Sequence, residues 1–180
     1  MDNRIKTKFT VASEEGIAVL QYLGETRGYE KYGTLLDEKQ LADYLFDHYN
    51  RDTIISNLNT FSNQLIVVYK EEKPAGFAYL TGKGAVSEPF SARRVFHIGA
   101  FEILNAFRES EVMEALMEKC MVICKSYDAI QLIEQEAETE MIAFYEKHGF
   151  HQRTSQLSVV AGVSVPSLIL IRENNRTISG

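Results

Sequence analysis

Three groups of side chains in this 180-residue sequence have the chemistry and spacing to do work. Tyr145 stands in the string Phe144-Tyr145-Glu146-Lys147-His148-Gly149-Phe150. A phenol can hand a proton to a departing group across one hydrogen bond; it can equally be a core tyrosine with its hydroxyl satisfied. His97 stands alone in an alternating run. Imidazole titrates near neutrality and can strip a proton from a nucleophile, while a lone histidine on a strand is also commonly a packed, hydrogen-bonded residue. The third group is Arg108-Glu109-Ser110-Glu111-Val112-Met113, where a helical pattern begins. Its acids are natural partners for the positive end of that helix, and a well-capped helix needing no ligand is one reading of it. His148 and His151 are too sparse for a metal site, which would need a further ligand, so no metal is expected. Cys120 and Cys124 are four residues apart on one helix face and read as buried, reduced thiols.

These groups need elements to hold them. Phe9 to Ala12 reads as the end of a first strand. Ser13 then offers an N-cap to a helix carrying Ile17, Leu20 and Leu23, a pattern that Gly24 and Gly28 loosen. Asp37 with Gln40 resembles a capping box, opening a helix whose apolar face is Leu41, Tyr44, Leu45 and Tyr49. A short helix after Asp52 carries Ile54, Ile55, Leu58 and Phe61. From Gln64 the period changes to two, and residues 65–70 and 76–80 form a hairpin about Glu71-Glu72-Lys73-Pro74. Gly82, Gly84 and Pro89 mark a loop before a longer strand at 94–104. There His97 and Phe101 alternate with Ile98 and Glu102, which puts Glu102 on the face opposite His97. Ser110 caps a helix to about Lys125 with Val112, Leu116, Cys120 and Ile123 buried. A strand at 129–134 and a helix at 139–148 follow, the latter stopped by Gly149. Strands 150–160 and 167–173 close the chain across a Gly162/Pro166 loop, with residues 174–180 as a frayed tail. Hairpins beside strand–helix–strand units imply an α+β fold: a mixed, twisted sheet of six to seven strands with helices on both faces.

The length fits one domain, residues 1–180. With 19 basic and 25 acidic residues the net charge is −6, which argues against nucleic acid as a partner and favours a cationic substrate. The opening Met1-Asp2-Asn3-Arg4-Ile5-Lys6 lacks the apolar core of a signal peptide. The longest apolar runs, such as residues 65–69 and 168–171, are strand-sized, so no membrane association is expected. The expected location is the cytoplasm.

Two segments carry a resemblance. Met141-Ile142-Ala143-Phe144-Tyr145-Glu146-Lys147-His148-Gly149-Phe150 resembles the A-x-x-F-Y-x-K-x-G-F signature of GNAT-superfamily acetyltransferases. Residues 42–69 are similar to the helical start and first hairpin of the branch that contains bacterial spermidine/spermine acetyltransferases, and Pro74-Ala75-Gly76-Phe77-Ala78 resembles the P-x-G-x-x opening of that superfamily's third strand. The resemblance implies acetyl-CoA as co-substrate, bound where the strands at 94–104 and 129–134 splay apart. It implies that the amides of Phe101, Glu102 and Ile103 hold the thioester and stabilise an oxyanion. It implies that Tyr145 protonates the leaving thiolate, and that His97 occupies the place of the base that deprotonates the amine. The acceptor it implies is a small primary amine, cationic and polyamine-like. It leaves a homodimer open.

The sequence departs from that pattern at the pyrophosphate loop. Arg108 keeps the first position, but Glu111 and Met113 stand where two glycines would let amides approach the phosphates. Met113 adds bulk, and Glu109, Glu111 and Glu114 add charge that competes for the same helix end. At about 6 Å and an effective dielectric near 20, one such carboxylate would oppose a phosphate by roughly 2–3 kcal/mol. Weak acetyl-CoA binding is therefore expected, strengthened by Glu111→Gly with Met113→Gly. The alternative is a closed cofactor site on a binding, regulatory or dimerisation module. Before the Phe-Tyr string, Glu136-Ala137-Glu138-Thr139-Glu140 replaces the family's frequent asparagine, and these acids suit the N-terminus of the next helix.

Overall fold

Period-2 and period-3.6 segments resolve into strands and helices in the order β1 (Ile5–Phe9), α1 (Glu14–Tyr32), α2 (Glu38–Tyr49), α3 (Arg51–Asn59), β2 (Asn63–Lys70), β3 (Lys73–Thr81), β4 (Val95–Ile103), α4 (Ser110–Cys124), β5 (Ala129–Gln135), α5 (Thr139–Lys147), β6 (His151–Val160) and β7 (Val163–Glu173). The structure, a computed structural model, describes residues 4–86 and 93–174. The Pro89 part of the expected loop and the tail beyond Asn174 lie outside the described residues. The strands form one seven-stranded sheet in the order β1-β2-β3-β4-β5-β7-β6. Among the described residues only the β4–β5 pair is parallel, joined by the crossover helix α4.

Capping sets the helix starts. Ser13 Oγ accepts from the Gly16 N–H at 3.1 Å, and the Asp37–Gln40 capping box is complete, with its two bonds at 2.8 and 3.1 Å. Gly24 and Gly28 do not loosen α1, which runs unbroken to Tyr32. They let α2 come close: a Cβ at Gly24 would stand 2.2 Å from the Tyr49 ring, and one at Gly28 2.4 Å from Leu45 Cδ2. Phe61, expected on the apolar face of α3, lies beyond that helix's end and is exposed. At the end of α5, Gly149 takes φ +84, the left-handed stop its position suggested.

The strands differ from the sequence reading in three ways. β1 ends at Phe9 rather than continuing to Ala12. The β6–β7 turn is Ala161-Gly162, both with positive φ, and β7 starts at Val163. Pro166 is therefore a strand residue opposite Leu157. The β5–β7 ladder ends at Ser167, so the missing N–H of Pro166 breaks no bond to β5.

The third difference matters most for the site. β3 pairs Leu80 with Ile98 and Tyr79 with Ala100, so Gly99 is an extra residue, a β-bulge in β4. The bulge shifts the alternation by one. Ile98 before it and Phe101 and Ile103 after it all enter the core under α4 and α5. His97 opposite Thr81 and Glu102 opposite Phe77 consequently share the other face, contrary to the unbroken alternation expected. That second face packs Leu65, Val67 and Phe77 against Ile17, Leu20 and Leu23 of α1 and Ile54 of α3.

Candidate active site

The parallel pairing of β4 with β5 runs from Val95/Ala129 to Ile98/Leu132 and stops at the bulge. Beyond it the two strands part. Leu104 N–H donates to the Ala75 carbonyl at 2.9 Å, which fixes the phase of the β3–β4 ladder. By the alternation of that ladder, the N–H groups of Phe101 and Ile103 face the gap, while that of Glu102 faces β3. Glu102 offers the gap its side chain instead.

A cavity of about 420 Å³ opens there, with Phe101, Glu102, Glu134 and Tyr145 in its wall and the rings of Tyr44 and Tyr49 from α2 lining it as well. Tyr145 is buried, and its hydroxyl donates to Glu134 Oε2 at 3.1 Å. Its ring meets Phe101 edge-on, with centroids 5.9 Å apart. Burial, followed by the charges of Glu134 and Glu102, holds the phenol well above its ordinary value, so it keeps its proton at neutral pH.

Around this pair lies an ion network that the sequence reading missed. Arg27, only 4% exposed, bonds Glu102 at 2.9 Å and Glu138 at 3.1 Å and lies 3.7 Å from Glu30. Lys31 Nζ stands 3.2 Å from Glu102 and 3.2 Å from Glu134. Burial works against the Lys31 charge, but Glu102 and Glu134 outweigh it and hold the ammonium above the ordinary lysine range. Burial pushes Glu134 up, with Lys31 pulling against it. The signal was present in the sequence: Arg27 and Lys31 are one turn apart, on the helix side marked by Leu20, Leu23 and Gly24, and Glu134 follows the apolar Leu132 and Ile133 in β5.

His97 lines an adjoining cavity of about 380 Å³ with Thr81, Gly84 and Gln131, which shares Ile98 and Gly99 with the first. Its Nε2 is buried without a hydrogen-bond partner among the described residues. Burial lowers its pKa, leaving the ring neutral at neutral pH. Cys120 and Cys124 are free and fully buried, and burial raises both thiols, as structural cysteines require.

The helix start at α4 differs from expectation in a way that favours an anion. Glu109 is its N-cap residue and makes no side-chain capping bond. The acids turn away: Glu109 pairs with Lys70, Glu114 lies 2.7 Å from Lys147 and 2.9 Å from His148, and Glu111 is exposed. Met113 does not crowd the loop. It sits within α4, and its side chain packs in the core with Val112 and Leu116. Removing it would open a cavity and put glycine inside a helix, so Met113→Gly is expected to cost about 3 kcal/mol or more of stability, read by urea unfolding, rather than to strengthen ligand binding. Arg108 reaches back across the gap, 3.1 Å from Glu138 and 3.6 Å from Glu140. The acids before α5 therefore serve Arg27 and Arg108 as well as the helix end.

Residues 29–150, well over half of the chain, match the family described as acetyltransferase (GNAT) family. Solved structures share the fold. The PaiA N-acetyltransferase from Thermoplasma acidophilum, in complex with coenzyme A, superposes with a TM-score of 0.72 at 11% identity, covering 94% of this chain and 98% of that one. A probable acetyltransferase from Staphylococcus epidermidis gives 0.72 at 10% identity, over 95% and 99% of the two chains. A GNAT-family acetyltransferase from Streptococcus pneumoniae gives 0.65 at 14%, over 95% and 99%. The chain belongs to the acetyltransferase (GNAT) family, whose chemistry is acyl transfer with acetyl-CoA as co-substrate. The residues present fit that co-substrate: the strands splay at the bulge, two amides face the gap, and the start of α4 is uncapped.

Proposed function

We propose that the protein acetylates the primary amine of a small, cationic, polyamine-like substrate. One observation carries this reading: Tyr145, Glu134 and Glu102 share a cavity at the point where β4 and β5 separate. Acetyl-CoA, when bound, supplies the acyl group and the sulfur that leaves. The chain's own residues do the rest. Phe101 and Ile103 offer N–H donors to an acyl oxygen. Tyr145 holds a proton at its hydroxyl, and an uncapped α4 with Arg108 nearby offers donors to phosphate. Glu102 and Glu134, with Tyr44 and Tyr49 in the same cavity wall, suit an ammonium group.

The loop lacks its glycines at 111 and 113, and we read it as degenerate, with weakened rather than abolished affinity. Glu111→Gln is expected to tighten acetyl-CoA binding a fewfold by removing one exposed charge. Two groups stand as receivers of the amine's proton, Glu102 in the Tyr145 cavity and His97 in the next. Shared lining favours Glu102. Glu102→Gln should then lower kcat by about a hundredfold and His97→Gln by less than about threefold; the reverse order would make His97 the base.

The test is thiol release with acetyl-CoA and a panel of polyamines, aminoglycosides and amino acids, paired with calorimetric titration of acetyl-CoA. Turnover with a polyamine is the expected result. The second reading, a non-catalytic module, draws on the ion pairs that already join Arg27 and Arg108 to Glu138. Neither heat nor thermal shift at millimolar acetyl-CoA would select it.

A further inference from the structure

Glu134 accepts the hydrogen bond from Tyr145, and while Glu134 is ionised no other direction is open, because a carboxylate can only accept. A protonated Glu134 would carry its own O–H and could donate to the phenol oxygen, so the direction of the bond, and with it the aim of the phenol proton, would no longer be fixed. Two features push Glu134 toward protonation. It is only 6% exposed, and a second carboxylate, Glu102, shares Lys31 with it.

The groups facing the pair come from α1, α2, α5 and the turn before α5. From α1 come Arg27, which binds Glu102, and Tyr32 beside Lys31; from α2, Tyr44, His48 and Tyr49 line the same cavity. Tyr145 comes from α5, and Glu138, just before it, reaches the pair through Arg27. Among the described residues, Lys31 is the one cation paired with Glu134. Arg27 serves Glu102, Glu30 and Glu138, so it cannot stand in.

We propose that Lys31 is a positioning residue: its ammonium, held between Glu102 and Glu134, keeps Glu134 ionised and thereby sets the direction of the Tyr145 hydrogen bond. This rests on the reading of Tyr145 as the proton donor, but the charge state of Glu134 can be measured apart from turnover.

Lys31→Met keeps the buried stem and removes the charge. Infrared difference spectra at neutral pH should show a protonated-carboxyl band in Lys31→Met that is absent from the native protein and from Lys31→Arg. The band should vanish in the double variant Lys31→Met/Glu134→Gln. In Lys31→Ala, which lacks the last three carbons and the nitrogen of the side chain, n-propylammonium should suppress the band by refilling that space. Activity is the second arm. The acid limb of the kcat profile should move up by about one pH unit or more in Lys31→Met, with kcat at neutral pH falling about tenfold or more. No carboxyl band, a band that survives Glu134→Gln, or a uniform loss of kcat with an unmoved acid limb would each overturn the proposal. Should the native protein show no acetyl transfer at all, the proposed function falls, and the infrared arm still decides whether Lys31 sets the Glu134 charge.

Discussion

Tyr145→Phe is expected to lower kcat by about a hundredfold or more, within the range that a positioned proton donor contributes, while acetyl-CoA affinity changes less than about threefold. The argument is local. Tyr145 is sealed between Phe101, Phe144 and Phe150, so phenylalanine keeps every ring contact and loses only the hydroxyl. What remains is a buried Glu134 with one donor fewer, which should cost about 1–3 kcal/mol of stability. Initial rates, calorimetry and urea unfolding separate the three effects. An unchanged kcat would remove Tyr145 as the acid, and a large loss of affinity would show that its hydroxyl positions the ligand instead.

Arg27→Met should be the most damaging single change to stability, about 3–5 kcal/mol, because removing one member of a buried ion network strands the others. Glu102 and Glu138 both lose a direct bond to the guanidinium, and both are largely enclosed. Methionine fills much of the volume of the arginine stem, so the loss reports charge rather than packing. Arg51 is the control. Its pair with Glu14 is exposed on both sides, and Arg51→Met should leave the urea midpoint where it was. Equal midpoints for both variants would mean that the Arg27 network stabilises nothing. The same network contributes to acid sensitivity. Burial opposes the Glu138 charge, but Arg27 and Arg108 outweigh it and hold that carboxyl below its ordinary value. Its share of stability is present above the ordinary carboxylate range and is lost as the pH falls through its lowered pKa.

Sequence reading was strongest where the cause is local. The Ser13 cap, the Asp37–Gln40 box, the Gly149 stop and the β2–β3 hairpin depend on side chains within four residues of the backbone groups they satisfy, so their signals survive in a linear string. The family string around Tyr145 is of the same kind. Reading failed where the cause lies across the fold. Gly24 and Gly28 look like helix breakers until Tyr49 and Leu45 are seen to need the space. Met113 looks like an obstruction at the helix start until α4 is seen to turn that side chain inward. The bulge at Gly99 leaves no reliable mark in the string, since one glycine in a strand has several meanings. Yet it carries Glu102 to the face of His97 and ends the β4–β5 ladder.

Order of elements, the α+β class and a proton-donor candidate were legible from the string; where the side chains of the α4 start would turn was not. Side-chain partners were not. Arg27, Lys31, Glu102, Glu134 and Glu138 come from α1, β4, β5 and the turn before α5, separated by up to 111 positions. Each alone reads as an ordinary surface charge. Folding removes them from water together, and in that low-dielectric enclosure their charges must be matched to one another, so the electrostatics of the site belong to the packed chain and not to any stretch of it.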